Sequence, residues 1–375
     1  MEHYLDNSAT TAVYREVAEK AAEIMTVNFG NPSSLHSKGM EAEDELIKAR
    51  HIIAKSLAVE DNEIYFTSGG TEANNLAVLG AVNALKRRGN KIVTTAVEHS
   101  SVFETMKQLE AQSFEVTYIE PDTEGNINIE NFKAHIDKNT ILVSLMAVNN
   151  EMGNILPFDK VSKIIRDNNS PALLHCDCVQ AYCKIPLKLK KCGIDLATIS
   201  GHKIHAPKGV GALYIKNGVR IIPQHFGGEQ EGKIRPGTEP LPLICGFAKA
   251  VTMADIEKNY QYISKLNSYA KEKLSTIDSV VINSPENALP YIINISVKGI
   301  RSETMLHYLE QFEIYVSSGS ACAKGKPSHV LQAMKLDRDL ADSALRISFS
   351  TENTEDDIDA LCDAIDNGMK KLVRR

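Results

Sequence analysis

Long apolar runs are missing from this chain: none reaches the roughly 20 residues that a membrane-spanning helix needs. The opening residues, Met1-Glu2-His3-Tyr4-Leu5-Asp6, lack the basic and then apolar order of a secretory signal. The expected address is therefore the cytoplasm, with no membrane partner. Positive charge is not in excess either. The formal net charge of −6 argues against nucleic acid as a direct partner. No CxxC pair occurs, and seven cysteines are an odd count that fits reduced thiols better than a disulfide framework. Cys176, Cys178, Cys183 and Cys192 are spaced by two, five and nine residues, which matches no zinc pattern, so they are read as buried apolar thiols and no metal is expected. Repeats, low-complexity segments and Pro/Ser-rich linkers are also absent, as is any GxxxxGK[ST] phosphate loop.

What is present is an alternation. At 375 residues the chain exceeds what one hydrophobic core usually serves, so two domains are expected. Strand-like runs at 63–67, 91–97, 114–119, 140–148, 172–177, 194–199 and 210–215 are separated by stretches of helical apolar spacing such as 71–87 and 157–167. That pattern implies an α/β fold, a mainly parallel sheet flanked by helices. After about residue 240 it changes: a long helical stretch over 245–276 leads into strands near 291–297, 313–317 and 345–349, with helices near 302–311 and 355–372. The expected division is a large α/β domain over 13–250 and a smaller α+β domain over 251–375 joined by residues 1–12.

Open α/β sheets bind ligands beyond the carboxyl ends of their strands, and five strand ends here are polar. The first runs into Ser68-Gly69-Gly70-Thr71-Glu72 at a helix start, where backbone N–H groups and the Thr71 hydroxyl suit a phosphate. A plain capped turn would use the same residues. Others end in Glu98-His99-Ser100-Ser101, in Asn149-Asn150-Glu151, in Asp177 with Gln180 beyond it, and in Ser200-Gly201-His202-Lys203. An aspartate inside an apolar run is costly unless it meets a positive partner, such as a protonated ring nitrogen. A lysine beside a cationic cofactor or in a dry cleft can form a Schiff base, although a lone lysine is more often a surface side chain. Together the five ends offer a phosphate cup, a ring stacker, a carboxylate and an amine, which is the set that pyridoxal phosphate demands.

Further along the chain stand Tyr4-Leu-Asp-Asn-Ser-Ala-Thr-Thr11, Asn31-Pro-Ser-Ser-Leu-His36, Arg235-Pro-Gly-Thr238, Ser317-Ser-Gly-Ser-Ala-Cys322 and Arg346-Ile-Ser. In this order, with the strand-end motifs, they resemble the NifS/IscS type of cysteine desulfurase, in the class V aminotransferase group of fold-type I pyridoxal-phosphate enzymes. The resemblance spans nearly the whole chain, and the ordered set is far more specific than any single motif. It implies Lys203 as the lysine that bears the cofactor, Asp177 on the pyridine nitrogen, His99 stacked on the ring and assisting proton transfer, and Gln180 at the ring hydroxyl. Gly70, Thr71, Ser200 and His202 would hold the phosphate, and Thr238 would reach that of the neighbouring subunit in a homodimer. Asn150 and Arg346 would bind the carboxylate of the substrate L-cysteine. Cys322 would receive the sulfur as a persulfide and pass it to an acceptor protein, an iron–sulfur scaffold or a tRNA-thiolation protein.

Read on its own residues, the segment Ser317 to Pro327 is small, polar and glycine-bearing, which suits a surface loop, and Lys324 and Lys326 favour the thiolate of Cys322. From Cys322 to Ser328 it is about two residues shorter than the commonest members of the resembled family, which would shorten its reach toward distant acceptors. The other departure, Cys176 and Cys178 flanking Asp177, points away from Asp177 by strand alternation. Two rival readings differ in outcome: another enzyme of the same group, such as an aminotransferase or selenocysteine lyase, and a non-catalytic sulfur-relay protein on the same fold.

Overall fold

The computed structural model describes residues 2–318 and 328–372. A two-residue strand, β1 (His3–Tyr4), precedes the seven strands of the main sheet. These are β2 (Ile64–Thr67), β3 (Lys91–Thr95), β4 (Glu115–Ile119), β5 (Thr140–Met146), β6 (Leu173–Asp177), β7 (Leu196–Ser200) and β8 (Gly211–Ile215). Their spatial order is β2-β8-β7-β6-β5-β3-β4, and only β8 opposes its neighbours. The chain thus steps outward from β3 to β4 and then returns to build β5 through β8 on the other side. The crevice between β3 and β5 is a topological switch point, the place where such sheets bind ligands.

Strand alternation feeds two cores. Ile92, Leu196 and Leu213 face the helices Gly70–Leu85 and Ser100–Ala111, whereas Val93, Ala197 and Tyr214 join the core shared with helices Ser37–Ser56, Phe158–Asp167 and Leu241–Met253. Both faces are therefore covered, which is why β5 and β7 are buried along their whole length. Cys176 and Cys178 lie in the second core, fully buried, and burial pushes the Cys176 thiol well up from its ordinary range.

The remaining strands are β9 (Val280–Ile282), β10 (Ile292–Val297), β11 (Ile314–Tyr315) and β12 (Ala344–Ser348). β10 pairs antiparallel with both β9 and β12, while β1 lies parallel to β11. The single helix expected over 245–276 is two, Leu241–Met253 and Ile256–Ser275. The break has a clear cause: the Asp255 side chain accepts the Lys258 backbone N–H at 3.1 Å and caps a new start. Among the described residues no helix is long and apolar enough to cross a membrane.

β2 is an edge strand that leads directly into the Ser68-Gly69-Gly70 turn, so its seating fixes where that turn stands. Its open side is closed by a side chain. Glu231, buried, accepts the Phe66 N–H at 2.7 Å and takes a two-pronged ion pair from Arg50 at 2.6 and 2.9 Å. Close by, Arg235 pairs with Glu72 at 2.9 Å on the first turn of the helix Gly70–Leu85. Removing one partner of such a pair strands the other charge. Glu231→Ala is expected to cost about 3–5 kcal/mol of stability in chemical denaturation, and a loss below about 1 kcal/mol would show that Glu231 does not brace the strand.

Candidate active site

A cavity of about 300 Å³ opens at the carboxyl edge of the main sheet, and ten of the twelve residues expected to act line it. Gly70 and Thr71 come from the turn after β2, His99 from that after β3, and Asn150 from that after β5. Asp177 and Gln180 follow β6, Ser200, His202 and Lys203 follow β7, and Arg346 reaches in from β12. Thr238 stands apart from this lining, exposed on the approach to the helix Leu241–Met253. Cys322 lies outside the described residues.

One corner of the cavity is built for an anion. The helix Gly70–Leu85 begins there with no side-chain cap, so its first N–H groups are open to a ligand. Gly69 holds φ at +152°, and a Cβ on Gly70 would stand 2.9 Å from Val179 Cγ2, so neither position accepts a larger residue without adjustment. The Ser200 hydroxyl is fully buried beside them without a hydrogen-bond partner among the described residues. A buried hydroxyl left open is costly unless a ligand meets it. His202 contacts Thr10 Oγ1 at 3.3 Å, and burial, reinforced by the Lys203 charge, pushes its imidazole down to about 4. It is therefore a neutral donor or acceptor at pH 7.

At the cavity floor Asp177 ends β6, buried between β5 and β7. Its Oδ1 accepts the Val179 N–H at 3.0 Å and its Oδ2 accepts Asn74 Nδ2 at 2.7 Å. Asn74 Nδ2 also donates to Ser101 Oγ at 2.9 Å, which in turn lies 2.8 Å from His99 Nδ1. The backbone N–H of Ser101 points at the same nitrogen from 3.2 Å. A backbone N–H can only donate, so Nδ1 must be the acceptor and Nε2 carries the proton. Burial lowers the His99 pKa, opposed by Asp177 and aided by Lys203, which keeps this single tautomer neutral.

Lys203 Nζ is held by the carbonyl oxygens of Ser8 at 2.5 Å and Ala9 at 2.7 Å. Arg346 donates through Nη2 to Asp6 at 2.8 Å and through Nη1 to the Asn150 carbonyl at 2.9 Å. Its Nε is shut off from water with no partner among the described residues, and so is Asn150 Oδ1. The Nε–H is a donor left over for a ligand carboxylate, whereas Asn150 Oδ1 is an acceptor and calls for a donor. The main chain of Arg346 also exchanges hydrogen bonds with Ser317 at 2.7 and 3.1 Å, where the Cys322 segment departs. That segment returns at Ser328, whose hydroxyl donates to Glu151 at 2.6 Å; burial pushes the Glu151 carboxyl up to about 7.

Sequence reasoning did not single out Asn74, Ser8, Ala9 or Asp6. Asn74 had one available signal, its place a helical turn after Gly70, which points it to the same side. The Ser8 and Ala9 contacts run through backbone oxygens and leave no trace in residue type. With these residues in place the cavity suits a phosphorylated pyridine aldehyde: an anion corner, a buried carboxylate for a ring nitrogen, a neutral imidazole and a lysine amine all face one space.

Comparison with known proteins agrees with this geometry. The family described as Aminotransferase class-V matches residues 3–361. The chain is 40% identical to the cysteine desulfurase IscS of Methanosarcina thermophila over 98% of this chain and 92% of that one. It is 38% identical to the putative cysteine desulfurase IscS 1 of Bacillus subtilis, covering 99% of both. Among solved structures, a NifS-like protein superposes with a TM-score of 0.94 at 38% identity, over 99% of this chain and all of that one. SspA in complex with cysteine does so with a TM-score of 0.84 at 31% identity, over 94% of this chain and 100% of the other.

The His99 tautomer can be read directly. Nitrogen-15 NMR of histidine-labelled protein at pH 7 should show Nδ1 bare and Nε2 protonated, and Ser101→Gly should weaken that preference while Ser101→Thr keeps it. A protonated Nδ1 in the parent protein would contradict the contact with the Ser101 N–H.

Proposed function

The chain belongs to the class V aminotransferase family and is a cysteine desulfurase, and on that premise we propose that Lys203 carries pyridoxal 5'-phosphate and Cys322 takes the sulfur of L-cysteine. The observation that carries this reading is the convergence of Lys203, buried Asp177 and the unpartnered Ser200 hydroxyl on one cavity. When bound, pyridoxal phosphate supplies an electron-poor ring that stabilises negative charge at a substrate's α-carbon.

Gly70, Thr71, Ser200 and His202 hold the phosphate, and Thr238 supports that of the neighbouring subunit in a homodimer; its exposed position in the single chain is compatible with that reach. Asp177, kept in place by Asn74 and the Val179 N–H, retains a proton on the ring nitrogen. His99 would face the bound ring with Nε2–H available for proton transfer, and Gln180 would meet the ring oxygen. Arg346 Nε and the Nδ2 end of the Asn150 amide would donate to the carboxylate of L-cysteine. Lys203 would remove the α-proton of the bound substrate through Nζ and return it later. The Cys322 thiolate attacks the substrate sulfur. The C–S bond breaks with its electron pair left on carbon, which takes up a proton to give alanine, and the sulfur remains on Cys322 as a persulfide.

The acceptor in this reading is a protein, an iron–sulfur scaffold or a tRNA-thiolation protein, and the enzyme works in the cytoplasm. The free state of all six described cysteines is compatible with that address. We also place the boundary between the two domains near residue 250, with the Cys322 segment on the smaller one.

Two experiments test the assignment. Borohydride reduction of the holoenzyme followed by peptide mapping should place the cofactor on Lys203; a label on another lysine would sink it. Cys322→Ser should retain full cofactor content and still exchange the α-proton of bound cysteine, while alanine formation drops to background. Alanine released at the parental rate would mean that sulfur leaves without an enzyme thiol, and an oxo acid in its place would indicate transamination.

A further inference from the structure

Lys184 has no place in the desulfuration chemistry, yet it is buried at 6% exposure a few residues beyond Asp177. Its ammonium has no carboxylate partner among the described residues. It donates to Gln180 Oε1 at 3.0 Å and lies 5.4 Å from the centre of the Tyr291 ring. Lys184 also lines, with Lys203 and Asn7, a cavity of about 50 Å³ that has room for water. An unpaired buried ammonium is expensive, and burial pushes Lys184 down to about 7, aided by repulsion from Lys203 and Arg346.

The hydrogen bonds around Gln180 show what that ammonium does. A carboxamide has a donating end and an accepting end, and its partners decide which way it faces. The Ser8 carbonyl can only accept, so Nε2 faces Ser8 at 2.9 Å, which leaves Oε1 toward Lys184, whose amine has N–H groups to donate whether charged or neutral. Gln180 lines the large cavity. With its oxygen taken by Lys184, what it has left to offer a ligand is the second N–H of Nε2. The same Ser8 oxygen is one of the two that hold Lys203 Nζ.

We propose that Lys184 is a positioning residue that locks the Gln180 carboxamide with N–H forward, so that the site receives the cofactor's ring oxygen as an acceptor. The proposal rests on the reading that pyridoxal phosphate occupies this cavity with its ring oxygen at Gln180. A donor at that oxygen stabilises its anionic form and lowers the pH at which the cofactor's Schiff-base proton is lost. With Lys184 replaced by an apolar side chain, Oε1 loses its partner and the amide is held by Ser8 alone, so its second N–H is no longer fixed toward the cofactor's ring oxygen.

The test is a double-mutant cycle read from the visible spectrum. Parent, Lys184→Met, Gln180→Leu and the double variant are purified as holoenzymes, and the pH midpoint of the cofactor's visible band is measured for each. Lys184→Met should raise the midpoint by about 0.7 unit, roughly a fivefold change in the protonation equilibrium and the worth of one hydrogen bond. In the Gln180→Leu background the same substitution should shift it no further, because the group it acts through is gone. Lys184→Arg, which also only donates, should keep the parental midpoint. Lys184→Gln, which can accept as well as donate, should raise it and serves in place of the methionine variant should that one fail to fold.

Equal shifts from Lys184→Met in both backgrounds would overturn the proposal, since the lysine charge would then act through space. An unchanged midpoint in Lys184→Met and Lys184→Gln would overturn it as well. A parent protein that acquires no visible band with pyridoxal phosphate would instead overturn the cofactor reading, and the proposal with it.

Discussion

A carboxylate buried at the centre of the sheet edge sets the terms for the whole site. Asp177 ends a strand flanked on both sides by others, and among the described residues it accepts an amide N–H and a backbone N–H. Neutral donors of this kind hold the carboxylate without cancelling its charge, so a cationic ligand group is still favoured there. Asn74 transmits the same constraint sideways. By donating to both Asp177 and Ser101 it sets the direction of the Ser101 hydroxyl, and that hydroxyl helps to fix the histidine that faces the ligand.

The second organising element is the N-terminal thread. After β1 pairs with β11, Leu5 accepts the Ser348 N–H at 2.7 Å and Asp6 pairs with Arg346. Ser8 and Ala9 then hold Lys203, Ser8 also holds Gln180, and Thr11 bonds to the His202 carbonyl. Fewer than ten residues therefore touch the arginine, the lysine and the turn after β7. Most of these bonds use backbone atoms, so they specify position while leaving side-chain identity largely free.

That distinction explains what could be read in the sequence. All seven strands of the main sheet were legible because both faces are covered and the runs are apolar, and their polar ends marked the cavity. The motif order named the family. That Gly70, Thr71, Ser200 and Lys203 would share one cavity was legible in residue types whose chemistry is specific. What was not legible depends on backbone contacts or on single hydrogen bonds: the carbonyls of Ser8 and Ala9, the Asn74 bridge, and the break at Asp255 within one long helical pattern. β1 and β9, of two and three residues, are too short for periodicity to register.

The anchoring of the Cys322 segment has a kinetic consequence. It leaves from Ser317, bonded to the main chain of Arg346, and returns at Ser328, bonded to Glu151. Cys322 is five residues from the first anchor and six from the second, so covalent length alone confines its thiol within roughly 18 Å of Ser317. Such a tether presents the thiol at an effective concentration in the millimolar range or above. On the reading proposed above, attack of Cys322 on bound cysteine is a unimolecular event at a rate independent of how dilute the enzyme is. A free thiol in solution would need to be at least millimolar to compete with the tethered one for the substrate sulfur.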